Sequence, residues 1–278
     1  MQYAEVIISI NPYSQQNAEI ITALLAELGF DSFSDADNGL MAYIPSEQLN
    51  HSDLKTLFSS LKLGCEINYN VNQVKEQNWN KEWESNFKPI PIKNLCYIRA
   101  PFHKSEEGYK LEVIIEPKMS FGTGHHQTTW LMARELFSLN LKNKKVLDMG
   151  CGTGILAIIA EKLGASKITA IDNDDWAYKN AKENVTLNNC TKISVLLGDS
   201  TLIEQLKFDI VLANINLNIL LSDFGTYYNS LNAGGIILMS GIFTTDIDTL
   251  TSNIRKFACN VVSKKAKNDW ALIAIQKK

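Results

Sequence analysis

No stretch of this 278-residue chain approaches the roughly 20 apolar residues that a membrane-spanning helix needs. Its longest apolar runs, such as Ile155 to Ala160 and Ile236 to Met239, are far shorter, so no membrane association is expected. Cysteine is sparse and unpatterned: Cys65, Cys96, Cys151, Cys190 and Cys259 are odd in number, scattered, and form neither a CxxC pair nor a zinc-site spacing. This excludes a disulfide scaffold and predicts a reducing compartment. Met1 to Ile10 carry Glu5 and no basic cluster ahead of an apolar stretch, so no secretory signal is expected and the cytoplasm is the predicted location. Internal repeats and low-complexity tracts are missing too. What remains, 45% hydrophobic and 21% charged, is the composition of an ordinary globular protein.

The net charge of −3 is unevenly spread. Residues 1–74 hold nine carboxylates against Lys55 and Lys62, a net of −7, which leaves +4 for the rest of the chain. An acidic front segment attracts a basic protein and repels bare RNA, so direct nucleic-acid binding is not expected.

Tyr3 to Ile10 reads as a strand, and Ala18, Ile21, Leu24, Leu25 and Leu28 recur at helical spacing before Gly29. A turn-rich stretch from Asp31 to Gly39 leads into a strand at Leu40 to Ile44. Ser46 can then cap a helix carrying Leu49, Leu54, Leu57, Phe58 and Leu61, and Cys65 to Val74 supplies another strand. The order, roughly βαββαβ, is that of a small α+β ferredoxin-like domain over residues 1–74. Lys75 to Pro91 carries Trp79, Trp83 and Phe87 at intervals of four and reads as a linker helix stopped by Pro89 and Pro91. Its aromatic stripe is expected to pack between domains.

From residue 92 to 278 a second domain is expected. Strands at Leu95 to Ala100 and Lys110 to Glu116 precede a loop and a helix from about Gln127 to Leu139. From Lys145 onward strands and helices alternate, with strands at Val146 to Asp148, Ile168 to Asp172, Ile193 to Leu197, Phe208 to Ala213 and Ile236 to Ser240. Apolar strands alternating with helices predict a parallel sheet covered on both faces. Two closing strands, near Val261 and over Ala271 to Ile275, have no helix between them and predict an antiparallel edge.

In K-V-L-D-M-G-C-G-T-G-I-L, Gly150, Gly152 and Gly154 let the backbone turn tightly after a strand and approach a ligand, with a helix directly behind. The free N–H groups at that helix start suit an anion, here the carboxylate of a methionine moiety. G-x-G-x-G replaces the dinucleotide form, Asp148 precedes it, and Asp172 ends the next strand about 20 residues on, the position of a carboxylate that accepts ribose hydroxyls. Together these predict an S-adenosylmethionine site. Asp199 in L-G-D-S can hold the adenine amino group or serve as a plain turn residue. Cys151 has no basic partner to activate it and reads as a small filler.

At Phe121 to Thr129, F-G-T-G-H-H-Q-T-T resembles the ribosomal protein L11 methyltransferase (PrmA-type) family. The likeness continues through V-L-D-M-G-C-G-T-G-I-L-A-I, A-I-D-N-D at Ala170 to Asp174 and L-A-N-I at Leu212 to Ile215. It implies a Rossmann-like seven-stranded methyltransferase sheet with its last strand antiparallel, preceded by the small front domain. It further implies methyl transfer from S-adenosylmethionine to lysine side chains, the N-terminal amine, or both, of ribosomal protein L11. By motif position Thr129, Gly150, Asp172 and Asn214 contact the cofactor, with Gly152 and Asp199 added by the reading above, while Phe121 and His126 line the methyl-transfer site.

The fourth strand ends in Asn214-Ile215-Asn216-Leu217, where many amine methyltransferases carry Asn/Asp-Pro-Pro-aromatic; this disfavours a planar nucleobase or glutamine amide as acceptor. Asn214 is expected to orient the amine, and no residue is assigned as general base. His125 is expected to cap or pack, His126 either to do the same or to close over the cofactor, and no metal is expected. A monomer is expected. Two other functions fit the motifs: methylation of another protein amine or a small molecule, and a non-catalytic S-adenosylmethionine-binding assembly factor.

Overall fold

Along Tyr3–Asn11 (β1) the residues Ala4, Val6, Ile8 and Ile10 are buried and their neighbours are not, the period of a strand with one face against a core. Helix α1 (Gln15–Glu27) adds Ala18, Ile21 and Leu25 to that core. The remaining elements of this part are β2 (Ser32–Ala36), β3 (Gly39–Pro45), α2 (His51–Ser60) and β4 (Glu66–Gln73). All strand pairs are antiparallel, in the order β2-β3-β1-β4. The computed structural model describes residues 2–73, 79–118 and 120–278, and the chain divides into two units, Met1–Trp83 and Glu84–Lys278.

Two local expectations are corrected here. Ser32–Ala36, inside the turn-rich stretch, is a strand that pairs with β3 through a hairpin, and Asn38 supplies the positive φ of 61° that the tight turn demands. Helix α2 is capped by Asn50, whose side chain accepts from the Ser52 N–H at 2.9 Å, not by Ser46. The Ser46 N–H is instead tied to the Gln2 carbonyl at 2.8 Å, which holds residue 46 at the end of β3, short of the helix.

Part of the expected linker helix, residues 75–78, lies outside the described residues; α3 covers Trp79–Asn86. Beyond it Ile90–Ile92 (β5) pairs antiparallel with β6 (Cys96–Arg99), which runs parallel to β7 (Leu111–Ile114). The prolines therefore do more than stop a helix: Pro91 lies within an edge strand, where a missing N–H is tolerated.

After α4 (Gln127–Leu136) come β8 (Lys145–Met149), α5 (Ile155–Lys162), β9 (Lys167–Asp172), α6 (Asp175–Leu187) and β10 (Ile193–Leu197). The chain ends with β11 (Phe208–Asn214), α7 (Leu217–Ser230), β12 (Leu231–Phe243), α8 (Ile247–Ile254), β13 (Cys259–Lys267) and β14 (Trp270–Lys277). These strands form a seven-stranded sheet, β10-β9-β8-β11-β12-β14-β13, in which β14 runs antiparallel to both neighbours.

Successive residues of the central strands face opposite cores. Val146, Ile210 and Leu212 join one cluster and Leu147, Val211 and Ala213 the other, so both faces are dry and the strands read as continuous apolar runs. This is the Rossmann-like α/β methyltransferase sheet, with its last strand reversed. Among the described residues no helix is long and apolar enough to cross a membrane.

Candidate functional site

The strand order reverses between β8 and β11, so the loops leaving their C-terminal ends part and leave a crevice. The turn after β8 lines it. Gly150 and Gly152 have φ of 66° and 53°, a region that side chains disfavour. Space forbids a side chain as well. A Cβ on Gly150 would lie 2.3 Å from Ile215 Cγ2, and one on Gly152 would lie 2.2 Å from the Phe121 carbonyl oxygen. The loop before α4 is fastened to this turn, because the Thr153 N–H donates to Phe121 O at 2.9 Å and the Thr153 hydroxyl donates to Gly122 O at 2.6 Å.

Within the turn itself, ahead of the helix start at Ile155, the N–H groups are already engaged. Those of Gly150 and Cys151 donate to Ile171 O at 2.8 and 3.0 Å, and that of Gly152 to Asp172 Oδ2 at 2.8 Å. Those of Thr153 and Gly154 go to Phe121 O and Cys151 O at 2.9 and 2.8 Å. A turn this tight folds back onto the end of β9 and consumes its own donors. Asp172 also accepts from the Asp174 N–H through Oδ1 at 3.0 Å. A carboxylate has about four lone-pair positions, so two remain for the hydroxyls of a ribose.

Asp148, in the strand below, is 1% exposed and accepts from the Ala157 N–H at 3.0 Å. Burial, aided by the Asp172 charge and opposed by that hydrogen bond, pushes its carboxyl up from 3.8 to about 7. A raised folded pKa means that the native state holds a proton the unfolded chain has lost. Its stabilisation is therefore present at low pH and is lost as pH rises from about 4 through about 7. Asp148→Asn keeps an acceptor for Ala157 without the charge. Its Tm is expected to gain on that of the native chain across this window, and a Tm difference flat between pH 4 and 8 would contradict the assignment.

A cavity of about 730 Å³ opens over these groups, bounded by Lys118, Ser120, Phe121, Gly150, Gly152, Asp172, Asn173, Asp174, Trp176, Asn214, Ile215 and Ile219. Asn214 donates from Nδ2 to Thr129 Oγ1 at 3.5 Å, while its Oδ1 is enclosed without a partner. Thr129, 1% exposed, stands behind Asn214 and is not part of the cavity wall. Asp199 borders a smaller hollow of about 80 Å³ that shares Gly150, Asp172, Asn173, Ile215 and Ile219 with the main one. Its Oδ1 accepts from the Thr201 N–H at 3.0 Å and hydroxyl at 2.6 Å, and the hydroxyl holds its carboxyl below the usual range. Both readings of Asp199 thus have a basis, for it makes a turn and borders the crevice.

Phe121, 53% exposed, also bounds an open concavity of about 510 Å³ lined by Ser120, Gly122, Thr123, His125 and His126. His126 Nδ1 accepts from the Thr128 N–H at 3.3 Å and contacts its hydroxyl at 2.7 Å, so His126 is the cap of α4. Burial lowers its pKa, favouring the neutral ring that such a cap requires. His125 packs instead, with its ring against Phe87 at 4.6 Å. His125 lies against Lys88 O and Thr123 Oγ1, each at 3.1 Å.

Trp270 meets the His126 ring edge-on at 4.6 Å and stacks on Phe243 at 4.2 Å. Neither aromatic residue carried a motif signal, since both come from the far end of the chain. Trp176, 75% exposed on the cavity rim, was equally silent, as was Ser120. Among the described residues no three His, Cys, Asp or Glu side chains converge as metal ligands.

Residues 8–278 match the sequence profile of a family described as ribosomal protein L11 methyltransferase (PrmA). The chain is 41% identical over 276 residues to a ribosomal protein L11 methyltransferase of Phocaeicola vulgatus, covering 98% of both chains. It is 45% identical over 258 residues to one of Porphyromonas gingivalis, covering 92% of this chain and 89% of that one. Among solved structures it is similar to a ribosomal protein L11 methylase from Lactobacillus delbrueckii subsp. bulgaricus, with a TM-score of 0.63 and 28% identity over 69% of this chain and 100% of the other.

Proposed function

Since the chain belongs to the ribosomal protein L11 methyltransferase (PrmA) family, we propose that it transfers methyl groups from S-adenosylmethionine to lysine side chains, the N-terminal amine, or both, of ribosomal protein L11. The observation that carries this reading is the enclosed, partnerless Oδ1 of Asn214 in the wall of a cavity that also presents Asp172 and the glycine turn. Asp172 has lone pairs for two ribose hydroxyls, and Gly150 and Gly152, where a Cβ would strike Ile215 or Phe121, let those residues close on the turn that lines the cavity. When bound, the cofactor supplies an electrophilic methyl group on a sulfonium.

The residues then have to present a neutral amine. A protonated lysine, with an ordinary pKa near 10.4, has no lone pair. Asn214 Oδ1 accepts a hydrogen bond from the amine nitrogen and aims its lone pair, while Nδ2 keeps the amide oriented through Thr129. Phe121 borders both the donor cavity and the open concavity beside His126, a position suited to limiting water at the reacting atoms once substrate is bound. The side chains act by positioning and desolvation, and none forms a covalent intermediate.

The front unit is read as a ferredoxin-like domain that recognises the substrate; its βαββαβ element order and its antiparallel sheet order β2-β3-β1-β4 support this. Its carboxylates suit a basic ribosomal protein. The protein acts as a cytoplasmic monomer, with residues 75–91 as the linker and residues 92–278 as the catalytic domain.

Incubation with labelled S-adenosylmethionine and separated ribosomal proteins tests the assignment: label is expected on the L11 protein, and label confined to other proteins or to none sinks it. Steering by the acidic front makes a second prediction. Raising salt from about 0.1 to about 1 M shortens the screening length from about 10 to about 3 Å, so association with the L11 protein is expected to slow by about tenfold. A rate indifferent to salt in stopped-flow measurements rules steering out.

A further inference from the structure

We propose that the Ser120 hydroxyl holds the amino-acid end of S-adenosylmethionine, a task the glycine turn is not free to perform; this rests on the reading of the cavity as the cofactor site. The cofactor's methionine moiety ends in a carboxylate and an ammonium, and each needs partners once enclosed. The N–H groups of the turn itself are spent on Ile171, Asp172, Phe121 and Cys151. The Ala157 N–H in the first turn of α5 is spent as well, on Asp148. Lys118, the cation in the cavity wall, is ion-paired with Glu183.

Ser120 is differently placed. It lines the same cavity, its Oγ is enclosed, and it has no hydrogen-bond partner. An enclosed hydroxyl without a partner is uncommon, because burial removes its water and nothing replaces it. The next residue brings it to the glycine end of the cavity, since the Phe121 carbonyl lies where a Cβ of Gly152 would stand, 2.2 Å away. Asn214 Oδ1, the other enclosed and partnerless atom in this wall, can only accept. A serine hydroxyl both donates and accepts, so Ser120 can supply the donor for the carboxylate that the turn withholds.

The test separates the two ends of the ligand. S-adenosylhomocysteine carries the amino-acid end, whereas 5′-methylthioadenosine has the same adenosine and sulfur without it. Calorimetric titration of the full chain is expected to show Ser120→Ala weakening S-adenosylhomocysteine binding by about tenfold and leaving methylthioadenosine binding within about twofold. Ser120→Thr, which keeps the hydroxyl, is expected to recover most of the loss. Equal losses for both ligands, or no loss for either, overturn the role of Ser120. A native chain that binds neither ligand overturns the reading of the cavity itself.

Discussion

Asp172→Ala is expected to weaken binding of S-adenosylhomocysteine by about a hundredfold or more and to lower Tm in the unliganded chain. The carboxylate sits at a junction. It accepts from the Gly152 N–H at 2.8 Å and the Asp174 N–H at 3.0 Å, so it holds the glycine turn to the end of β9 while its remaining lone pairs face the cavity. Hydrogen bonds to a charged acceptor contribute roughly 1.5–3 kcal/mol each, and two ribose hydroxyls lost together account for the size of the effect. Alanine also strands the Gly152 N–H, which loosens the turn on which the rest of the site is built.

Asp172→Asn separates the two contributions. It keeps one acceptor for the turn, so its Tm is expected to lie near that of the native chain while affinity still falls, by less than in the alanine variant. Calorimetry and thermal melts of the three chains give both readings. An alanine variant with unchanged affinity removes Asp172 from the cofactor site.

The second large effect is expected on turnover. Asn214→Ala is expected to lower kcat by about a hundredfold, the scale on which a misplacement of the reacting groups acts, with a much smaller change in cofactor affinity. Asn214 has one fixed contact, to Thr129 Oγ1 at 3.5 Å, and one enclosed acceptor with no partner. Its loss therefore removes orientation of the amine before it removes binding. Because the asparagine does not titrate, the rise of kcat/KM with pH, set by deprotonation of the acceptor amine, is expected to keep its shape in the variant at a lower level. Steady-state kinetics between pH 7 and 10 decide the matter. A variant whose rate no longer climbs with pH, or one that turns over as fast as the native chain, contradicts the assignment.

Much of the catalytic half is legible in the residues because local rules act there without conflict. The apolar strands Val146 to Asp148 and Phe208 to Ala213 are buried on both faces, helix Asp175 to Leu187 runs from its Asp174 cap to the predicted end, and the closing hairpin supplies the reversed strand. The motifs likewise mark Gly150, Gly152, Asp172 and Asn214, which the structure brings to one cavity.

Less was legible where two elements compete or where partners are remote in the chain. Ser46 is a better cap by type than by place, since its N–H is held by Gln2, and Ser32–Ala36 looked like a turn until β3 offered it a partner. His126 caps α4 because it immediately precedes the first helical residue, Gln127, while His125 lies against Lys88.

The sequence by itself determined the doubly covered sheet, the glycine turn and the acidic strand end, because each follows from a short-range pattern of burial, backbone freedom or charge. Only the tertiary structure decided what that turn can still do. Folding it against Ile171, Asp172 and Phe121 engages the N–H groups of the turn itself. It leaves the unpartnered polar atoms of the cavity wall on Ser120 and Asn214, 94 positions apart in the chain and joined only by the fold.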